Sequence, residues 1–378
     1  MFYKIGKYGM SGIFTALVAL AVSVLPVSAT SGADSEQNQV YSAGDNSAVF
    51  ITPAFGKYPK PLLVTVTPDE VRVVNNAQAQ LGSLNKTNPL TARLVTWFIE
   101  PSAQNSPTVN LARKSLLATQ AIFESMGIYD AKATSIVIGR SQQYIKRTVE
   151  KLGCFPDLSR TRGQYLMGSS LCNDTVIVMN LTGYLFLTSA NQQLSTYLEK
   201  RAEPPISSMN YLIVDRNISG LSHEWAHSVR TLMAGGDVPP GEPAWMREGF
   251  AELVAGLSRV KAFPVRMSYM DFHAIKIHLF SNWPSRCKLE LDHYRLNAPE
   301  LAGCEYYNGL MATELLLSDH GGLASLMQLY KETGRTQSFE QSFFNHYAMT
   351  VDEFEASADV YISDIAKIGF LRTSAQAQ

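Results

Sequence analysis

The sequence predicts an α+β fold, in which the strands come early in the chain and helices dominate its last third. Two observations support this prediction. Short runs rich in Val, Ile and Thr, which are typical of strands, lie between residues 62 and 181. Apolar residues at helical spacing recur through the C-terminal third. Strands followed by helices are the arrangement of an α+β domain.

The composition is that of a globular protein. The chain has 378 residues, of which 46% are hydrophobic and 17% charged, and its formal net charge is −1. This is enough for a sizeable core and one or two domains. Because no strong field of either sign is implied, composition gives no argument for a nucleic-acid partner or an anionic membrane surface. The composition gives no indication of the oligomeric state.

The N-terminus has the layout of a secretory signal peptide. Lys4 and Lys7 precede an apolar run over residues 13–25, Pro26 ends that run, and the small residues of 27–29 follow. The alternative is an uncleaved anchor, but the run is short for a membrane span of about 20 residues. We therefore predict that residues 1–29 are removed. The mature protein then has no stable membrane anchor and is periplasmic or extracellular.

The elements after the signal peptide are predicted from local patterns. Residues 30–48 are small and polar and predict a disordered leader, and residues 49–110 form an N-terminal region with strands. The elements predicted next are one or two strands over 62–74, a helix over 111–126, a strand over 135–139, a helix over 144–152 and a strand over 175–181.

The second half of the chain is predicted to be mainly helical. Asn217 or Ser219 is the candidate N-cap of the first of these helices. The predicted segments are a helix over 218–230, a Gly- and Pro-rich loop over 235–243, helices over 244–257, 306–317, 323–333 and 350–368, and a flexible tail over 369–378.

Four cysteines, Cys154, Cys172, Cys287 and Cys304, lie in this exported chain. An even number in an oxidising compartment indicates disulfides, and four cysteines allow three pairings. We predict the local pairing, Cys154 with Cys172 and Cys287 with Cys304. Buried free thiols are the alternative.

The string His223-Glu224-Trp225-Ala226-His227 predicts a metal site. Residues four apart on a helix differ by about 40° in direction, so both imidazoles can meet one ion. Glu224 lies on the flank of that face, where it can reach a water molecule without binding the metal. Two surface histidines on an amphipathic helix are the alternative.

The next predicted helix carries two carboxylates at the same spacing, Glu248 and Glu252. A catalytic zinc takes three protein ligands and keeps one position open, and Glu248 completes that set. Glu252, one turn further on, can hydrogen-bond the outer nitrogen of a zinc-bound histidine. A solvated helix charge is the alternative for Glu252.

The strings HEWAH and WMREGFAE resemble the gluzincin metallopeptidases, the group of thermolysin and aminopeptidase N, and most closely its peptidase-MA-like proteins. The resemblance implies that His223, His227 and Glu248 bind Zn²⁺ and that Glu224 is the general base. It also implies a thermolysin-like zincin domain over 111–368, with a small N-terminal β-containing region and a helical C-terminal part.

A tyrosine also follows from the resemblance. Aminopeptidases hold the oxyanion with a tyrosine before Glu-Lys-Gly, and alignment on Gly309 puts that tyrosine at Tyr306, with Tyr307 as the fallback. Aromatic core packing is the alternative for both. The strand over 176–181 is expected to be the edge strand that pairs with an extended substrate, as in relatives.

The sequence departs from the aminopeptidase pattern in three ways. Twenty residues separate His227 from Glu248, more than in aminopeptidases, and Arg247 stands where they have Asn. No Gly-x-Met-x-Asn motif precedes the zinc helix. Since that motif holds the free amine of an exopeptidase substrate, its absence favours an endopeptidase.

The predicted function is an exported zinc metallopeptidase that hydrolyses peptide bonds in a peptide or protein substrate, with Glu224 activating the attacking water. The alternatives are a non-catalytic peptide-binding protein on a peptidase scaffold and a zinc amidase acting on the cell wall. The other histidines are assigned no role; they are His273, His278, His293, His320 and His346.

Overall fold

The fold is α+β, as predicted, in a computed structural model of the chain. Helices supply most of the structure. The described residues are 41–43, 47–52, 62–83, 95–132, 135–158, 169–181, 208–263, 268–279, 287–296 and 303–375. The predicted signal peptide lies outside them.

An antiparallel sheet of three strands begins the described chain. Its strands are β1 (Tyr41–Ala43), β2 (Ser47–Thr52) and β3 (Leu62–Val66), paired in the order β1-β2-β3. Strand β1 and the start of β2 fall within residues 30–48, where the sequence predicted disorder. Strand β2 pairs with β1 on one side and with β3 on the other, and its aromatic and β-branched residues favour a strand over disorder. Residues 30–40 lie outside the described part.

Only the first part of the strand prediction over 62–74 is correct. After β3 the chain turns into helix α1 (Pro68–Ser83). Thr67 and Glu70 form a capping box: the Glu70 N–H donates to Thr67 Oγ1 at 2.9 Å, and the Thr67 N–H donates to Glu70 Oε2 at 3.2 Å. This cap begins a helix whose buried face includes Val73 and Val74, two residues that read as strand formers.

The second sheet is mixed and is built by helical crossovers. Its strands are β4 (Thr96–Ile99), β5 (Ser135–Gly139), β6 (Ser169–Leu171) and β7 (Val176–Asn180), in the order β4-β5-β7-β6. Helix α2 (Pro107–Glu124) connects β4 to β5, and α3 (Gln142–Lys151) follows β5. Strands β4, β5 and β7 are parallel, while β6 is antiparallel to β7.

This strand order corrects one prediction. Strand β7 lies between β5 and β6, so the prediction that it forms the edge of the sheet is wrong. The hairpin that returns through residues 172–175 places β6 outside it. Among the described strands of this second sheet, β6 and β4 form the two edges.

Two long helices carry the predicted metal motif. Helix α4 (Ser208–Met233) contains HEWAH, and α5 (Ala244–Ala262) contains Glu248 and Glu252. Because α4 begins at Ser208, Asn217 and Ser219 lie inside it, and neither caps it. The predicted loop between the helices is present and includes Gly235, Gly236 and Gly241 at positive φ.

The remaining described helices lie towards the C-terminus. They are α6 (Tyr269–Ala274), continued by a π-turn (Ile275–Leu279), and α7 (Cys304–Asp319), α8 (Gly322–Thr336), α9 (Phe339–Tyr347) and α10 (Val351–Ala375). Helix α10 extends to Ala375, through most of the tail that the sequence predicted to be flexible.

Helices α5 and α7 approach so closely that only glycine fits between them. A Cβ atom added to Gly249 would lie 2.1 Å from the carbonyl oxygen of Gly309, and one added to Gly309 would lie 2.2 Å from that of Trp245. This contact brings the helix that carries Glu248 against the helix that carries Tyr306.

A buried hydroxyl network joins α4 and α5 to α2. The hydroxyls of Ser115 and Thr119 on α2 bond Ser222 Oγ on α4 at 2.7 and 2.8 Å. Thr119 Oγ1 also lies 2.9 Å from Ser258 Oγ on α5. Since buried hydroxyls are costly unless they are paired, this network fixes how the three helices sit together.

Both predicted disulfides are present. Cys154 bonds Cys172 and Cys287 bonds Cys304, with Cα–Cα distances of 5.8 and 5.6 Å. The local pairing is therefore confirmed. Among the residues that the structure describes, no helix has both the length and the apolar composition that crossing a membrane requires.

Candidate metal centre

The three predicted ligands converge on one point between α4 and α5. The two histidine Nε2 atoms are 3.1 Å apart, and Glu248 Oε2 lies 3.2 Å from Nε2 of His223 and 3.3 Å from Nε2 of His227. Ligands about 2.0–2.1 Å from a tetrahedral zinc ion lie about 3.3 Å from one another. The donor atoms thus have the spacing that a tetrahedral ion requires, and the group can hold a metal ion.

The three converging side chains are largely buried but keep a small surface exposed to solvent. His223 and His227 are each 7% exposed and Glu248 is 9% exposed. Arg247 orients the carboxylate, because its Nε donates to Glu248 Oε1 at 3.0 Å and leaves Oε2 facing the two imidazoles. Arg247 stands where aminopeptidases have Asn, and this contact indicates what it does in this chain.

The ionisation of the ligands reflects their mutual attraction. Burial raises the pKa of Glu248, but the charges and hydrogen bonds of His227 and His223 outweigh burial and hold it well below its usual value. Burial lowers the pKa of His223, but hydrogen bonds to Glu248 and Glu252 raise it to about 10.

Glu252 lies on the Nδ1 side of the His223 ring, away from the point where the candidate ligands converge. Its Oε1 is 3.4 Å from His223 Nδ1, an ion-pair distance slightly long for a hydrogen bond. Its Oε2 contacts the ammonium of Lys276, which follows α6. Burial raises the pKa of Glu252, but the Lys276 charge and the His223 contact lower it to about 2. Glu252 is therefore a carboxylate that can orient the imidazole.

Glu224 lies on the same helix and is not among the three converging ligands. It is 9% exposed, and burial raises its pKa above the usual value. The charges of His223 and His227 oppose that increase, while those of Glu248 and Asp174 add to it. A carboxyl group with a raised pKa beside a metal site is suited to accept and return a proton.

The two candidate tyrosines occupy different environments. The Tyr306 ring stacks on the His223 imidazole, with centroids 5.6 Å apart and an angle of 27° between the planes. Tyr307 packs against the main hydrophobic core. Tyr306, the residue given by alignment on Gly309, is therefore the tyrosine beside the metal ligands.

The hairpin of β6 and β7 contacts α4 just beyond His227. Asp174, in the turn between β6 and β7, accepts hydrogen bonds from Ser170 Oγ and Thr231 Oγ1, both at 2.5 Å. Its backbone oxygen accepts a bond from Ser228 Oγ at 3.2 Å. Ser228 follows His227 directly on α4 and Thr231 lies four residues after it, so this turn holds the helix just beyond the candidate ligands.

Sequence reasoning did not find several of these residues. Arg247 was noted only as a departure from the aminopeptidase pattern, and its contact with Glu248 was not predicted. Lys276 and Asp174 contact Glu252 and Thr231 from distant parts of the sequence, so no local motif indicates them. A second buried group of metal-ligating side chains, Glu70, His273 and His278, was also missed. The pair of histidines five residues apart was a signal, but it lies outside the usual helical spacing.

Comparisons with models of protein families, with curated proteins and with solved structures find no match to this chain. The functional interpretation therefore depends on the residues of the centre itself.

Proposed function

We propose that this protein is an exported zinc metallopeptidase of the gluzincin type with a thermolysin-like catalytic domain. The observation that carries the proposal is the triangle of two imidazole nitrogens and one carboxylate oxygen, spaced at 3.1–3.3 Å. A 2-His, 1-Glu set with a further carboxylate beside it suits a catalytic rather than a closed structural zinc site.

The donor types favour zinc as the cofactor. Two neutral imidazoles and one carboxylate are the ligand set of zinc hydrolases that keep an open coordination position. His223, His227 and Glu248 would hold the ion. When bound, zinc supplies an electrophile that polarises a water molecule and the carbonyl group of the substrate.

The surrounding residues supply proton transfer and charge stabilisation. Glu224 takes the proton of the attacking water and returns it to the leaving amine nitrogen, a task for which its raised pKa is suited. The Tyr306 hydroxyl, on the ring that stacks on His223, donates to the carbonyl oxygen as negative charge develops there.

The peptide substrate is proposed to bind in extended form along β6. An edge strand offers unpaired backbone groups to an added strand. Strand β6 is antiparallel to β7, and the turn between them is tied to α4 just beyond His227. Because the sequence contains no Gly-x-Met-x-Asn motif, the proposal is for endopeptidase cleavage.

The location outside the cytoplasm rests on the disulfides. Two disulfides close short loops, and such bonds persist in oxidising compartments. Together with the signal-like N-terminus, they support export to the periplasm or beyond.

The test compares wild type with Glu224→Gln, which keeps the size of the side chain and removes the base. Both proteins should bind one equivalent of zinc at the centre. Wild type should cleave internal bonds of casein and of a peptide library. The kcat of the variant should be lower by about 10²–10⁴-fold. Glu340→Gln, at an exposed position, is the matched control and should retain full activity.

Two results would replace the proposal. Zinc binding without cleavage of any peptide or cell-wall substrate would indicate a binding protein on a peptidase scaffold. Cleavage of purified cell wall but not of protein, abolished by Glu224→Gln, would indicate a zinc amidase.

A further inference from the structure

A second group of metal-ligating side chains is buried away from the centre described above. Glu70 comes from α1, His273 from α6 and His278 from the π-turn that continues α6. One donor atom from each lies within 4.8 Å of the others. We propose that these three residues bind a second divalent cation of the zinc type, which stabilises the fold.

The donor atoms converge on one carboxylate oxygen. Glu70 Oε1 lies 3.0 Å from His273 Nε2 and is in contact with His278 Nε2. The side chains of Glu70 and His273 are fully buried, and that of His278 is 3% exposed. Imidazole and carboxylate groups that meet out of contact with water are the ligands that zinc and similar cations prefer.

The outer nitrogen of His273 is also engaged. His273 Nδ1 lies 2.8 Å from Glu314 Oε2, and the other oxygen of Glu314 accepts a bond from the Tyr269 hydroxyl at 2.8 Å. A carboxylate on Nδ1 fixes the orientation of the ring, so that Nε2 faces Glu70. A similar but longer contact occurs at the first centre, where Glu252 Oε1 lies 3.4 Å from His223 Nδ1.

The π-turn explains how the two histidines meet. Residues five apart on an α-helix point about 140° away from each other. A π-turn, with its i→i+5 hydrogen bonds, contains more residues per turn and reduces that angle. His273 lies in α6 and His278 lies in the π-turn over Ile275–Leu279, so the widened turn brings their rings to one side. Such turns occur frequently at functional sites.

Charge balance is satisfied by a divalent ion. Glu70 and Glu314 bring two negative charges into a region closed to water. Two neutral imidazoles and one divalent cation cancel them, whereas without an ion the carboxylates contact the imidazoles, the Tyr269 hydroxyl and the Thr67 N–H. The two arrangements differ in one measurable quantity, the number of bound ions.

A role in stability follows from burial and position. The side chains of Glu70 and His273 are fully buried and that of His278 is 3% exposed, less than an open catalytic site would require. The ion would join α1 to the α6 segment, and that segment also carries Lys276, which contacts Glu252 behind the first centre. The second ion would therefore hold in place a residue that supports the first.

The experiment replaces the two histidines of the first centre and then measures how many zinc ions the second group binds. A His223→Ala/His227→Ala double variant, loaded with Zn²⁺ and dialysed against metal-free buffer, should retain one ion per chain. Adding His278→Gln should reduce that number to none, whereas adding His346→Gln, at an exposed position, should leave it at one. Circular dichroism and a thiol count under denaturing conditions check that each variant is folded and oxidised.

A second measurement applies if the triple variant does not fold. Titration of metal-free wild type with Zn²⁺ against a chromophoric chelator should show two equivalents, and the double variant should show one. A folded double variant that binds no zinc would overturn the proposal, as would a folded triple variant that keeps its ion. Because the first centre is absent from these variants, the result is independent of the proposed peptidase activity.

Discussion

Oε1 of Glu252 lies 3.4 Å from Nδ1 of His223, and the other oxygen of the same carboxylate contacts the ammonium of Lys276. The carboxylate is thus shared between a candidate metal ligand and a cation in the π-turn that follows α6. Since the charge of Lys276 keeps Glu252 ionised, the pair places a negative charge beside the outer nitrogen of His223. The orientation of one ligand therefore depends on a contact between α5 and the residues that follow α6.

Glu252→Gln should weaken zinc binding at the first centre by about 10–100-fold, because the charged acceptor behind His223 is lost. The measurement is a competition titration with a chelator of known affinity. Activity should return when zinc is supplied in excess, since Glu224 is untouched. Equal affinities in wild type and Glu252→Gln would mean that the 3.4 Å contact does not support the ligand.

Tyr306→Phe should lower kcat by about 10²–10³-fold and leave zinc content unchanged, because it removes one donor to the developing oxyanion. Tyr307→Phe is the matched control, since Tyr307 packs against the core while Tyr306 stacks on His223. Steady-state kinetics on one peptide substrate separate the two variants. A larger loss of kcat in Tyr307→Phe would assign the role to the other tyrosine.

The convergence of the three candidate ligands could be predicted because it depends on local geometry. His223 and His227 are fixed by one helical turn, and Glu248 lies on the next helix after a short loop. The second group could not be predicted in this way. Glu70 is 203 residues from His273 and 208 from His278, so only tertiary packing brings them together.

The errors in secondary structure have similar causes. The residues of 67–74 include several valines and suggest a strand, but the capping box of Thr67 and Glu70 begins a helix there. The position of β7 inside the sheet depends on which strand pairs with it, and the short strand β6 carries no strong sequence signal. Local preference alone could not identify the edge of the sheet.

Gly309→Ala should destabilise the protein by about 1–3 kcal/mol or more, because the new methyl group would lie 2.2 Å from the carbonyl oxygen of Trp245. Separation of α5 and α7 should also weaken zinc binding, since these helices carry Glu248 and Tyr306. The measurements are urea denaturation and zinc affinity. Gly82→Ala is the control: nothing lies within 4 Å of the added atom, so stability should rise by about 0.5–1 kcal/mol.

Asp174→Asn tests whether the charge of Asp174 stabilises the contact between the β6–β7 turn and α4. The substitution keeps the shape of the side chain, and Asn also tolerates the left-handed conformation of this residue, at φ 60°. It removes the charge that accepts bonds from Ser170 and Thr231, so the variant should be less stable than wild type by about 1–3 kcal/mol at pH 7.

The difference between Asp174→Asn and wild type should depend on pH. Burial raises the pKa of Asp174, but hydrogen bonds from Ser170 and Thr231 and the charges of His227 and Arg230 hold it below its usual value of 3.8. A carboxyl group with a lowered pKa stabilises the folded state above its unfolded pKa, and this contribution falls as pH decreases through the folded pKa. Urea denaturation of both proteins should therefore give the full difference at pH 6–7 and a shrinking difference below about pH 4. A difference that stayed constant down to pH 3 would show that the charge of Asp174 does not hold the turn against α4.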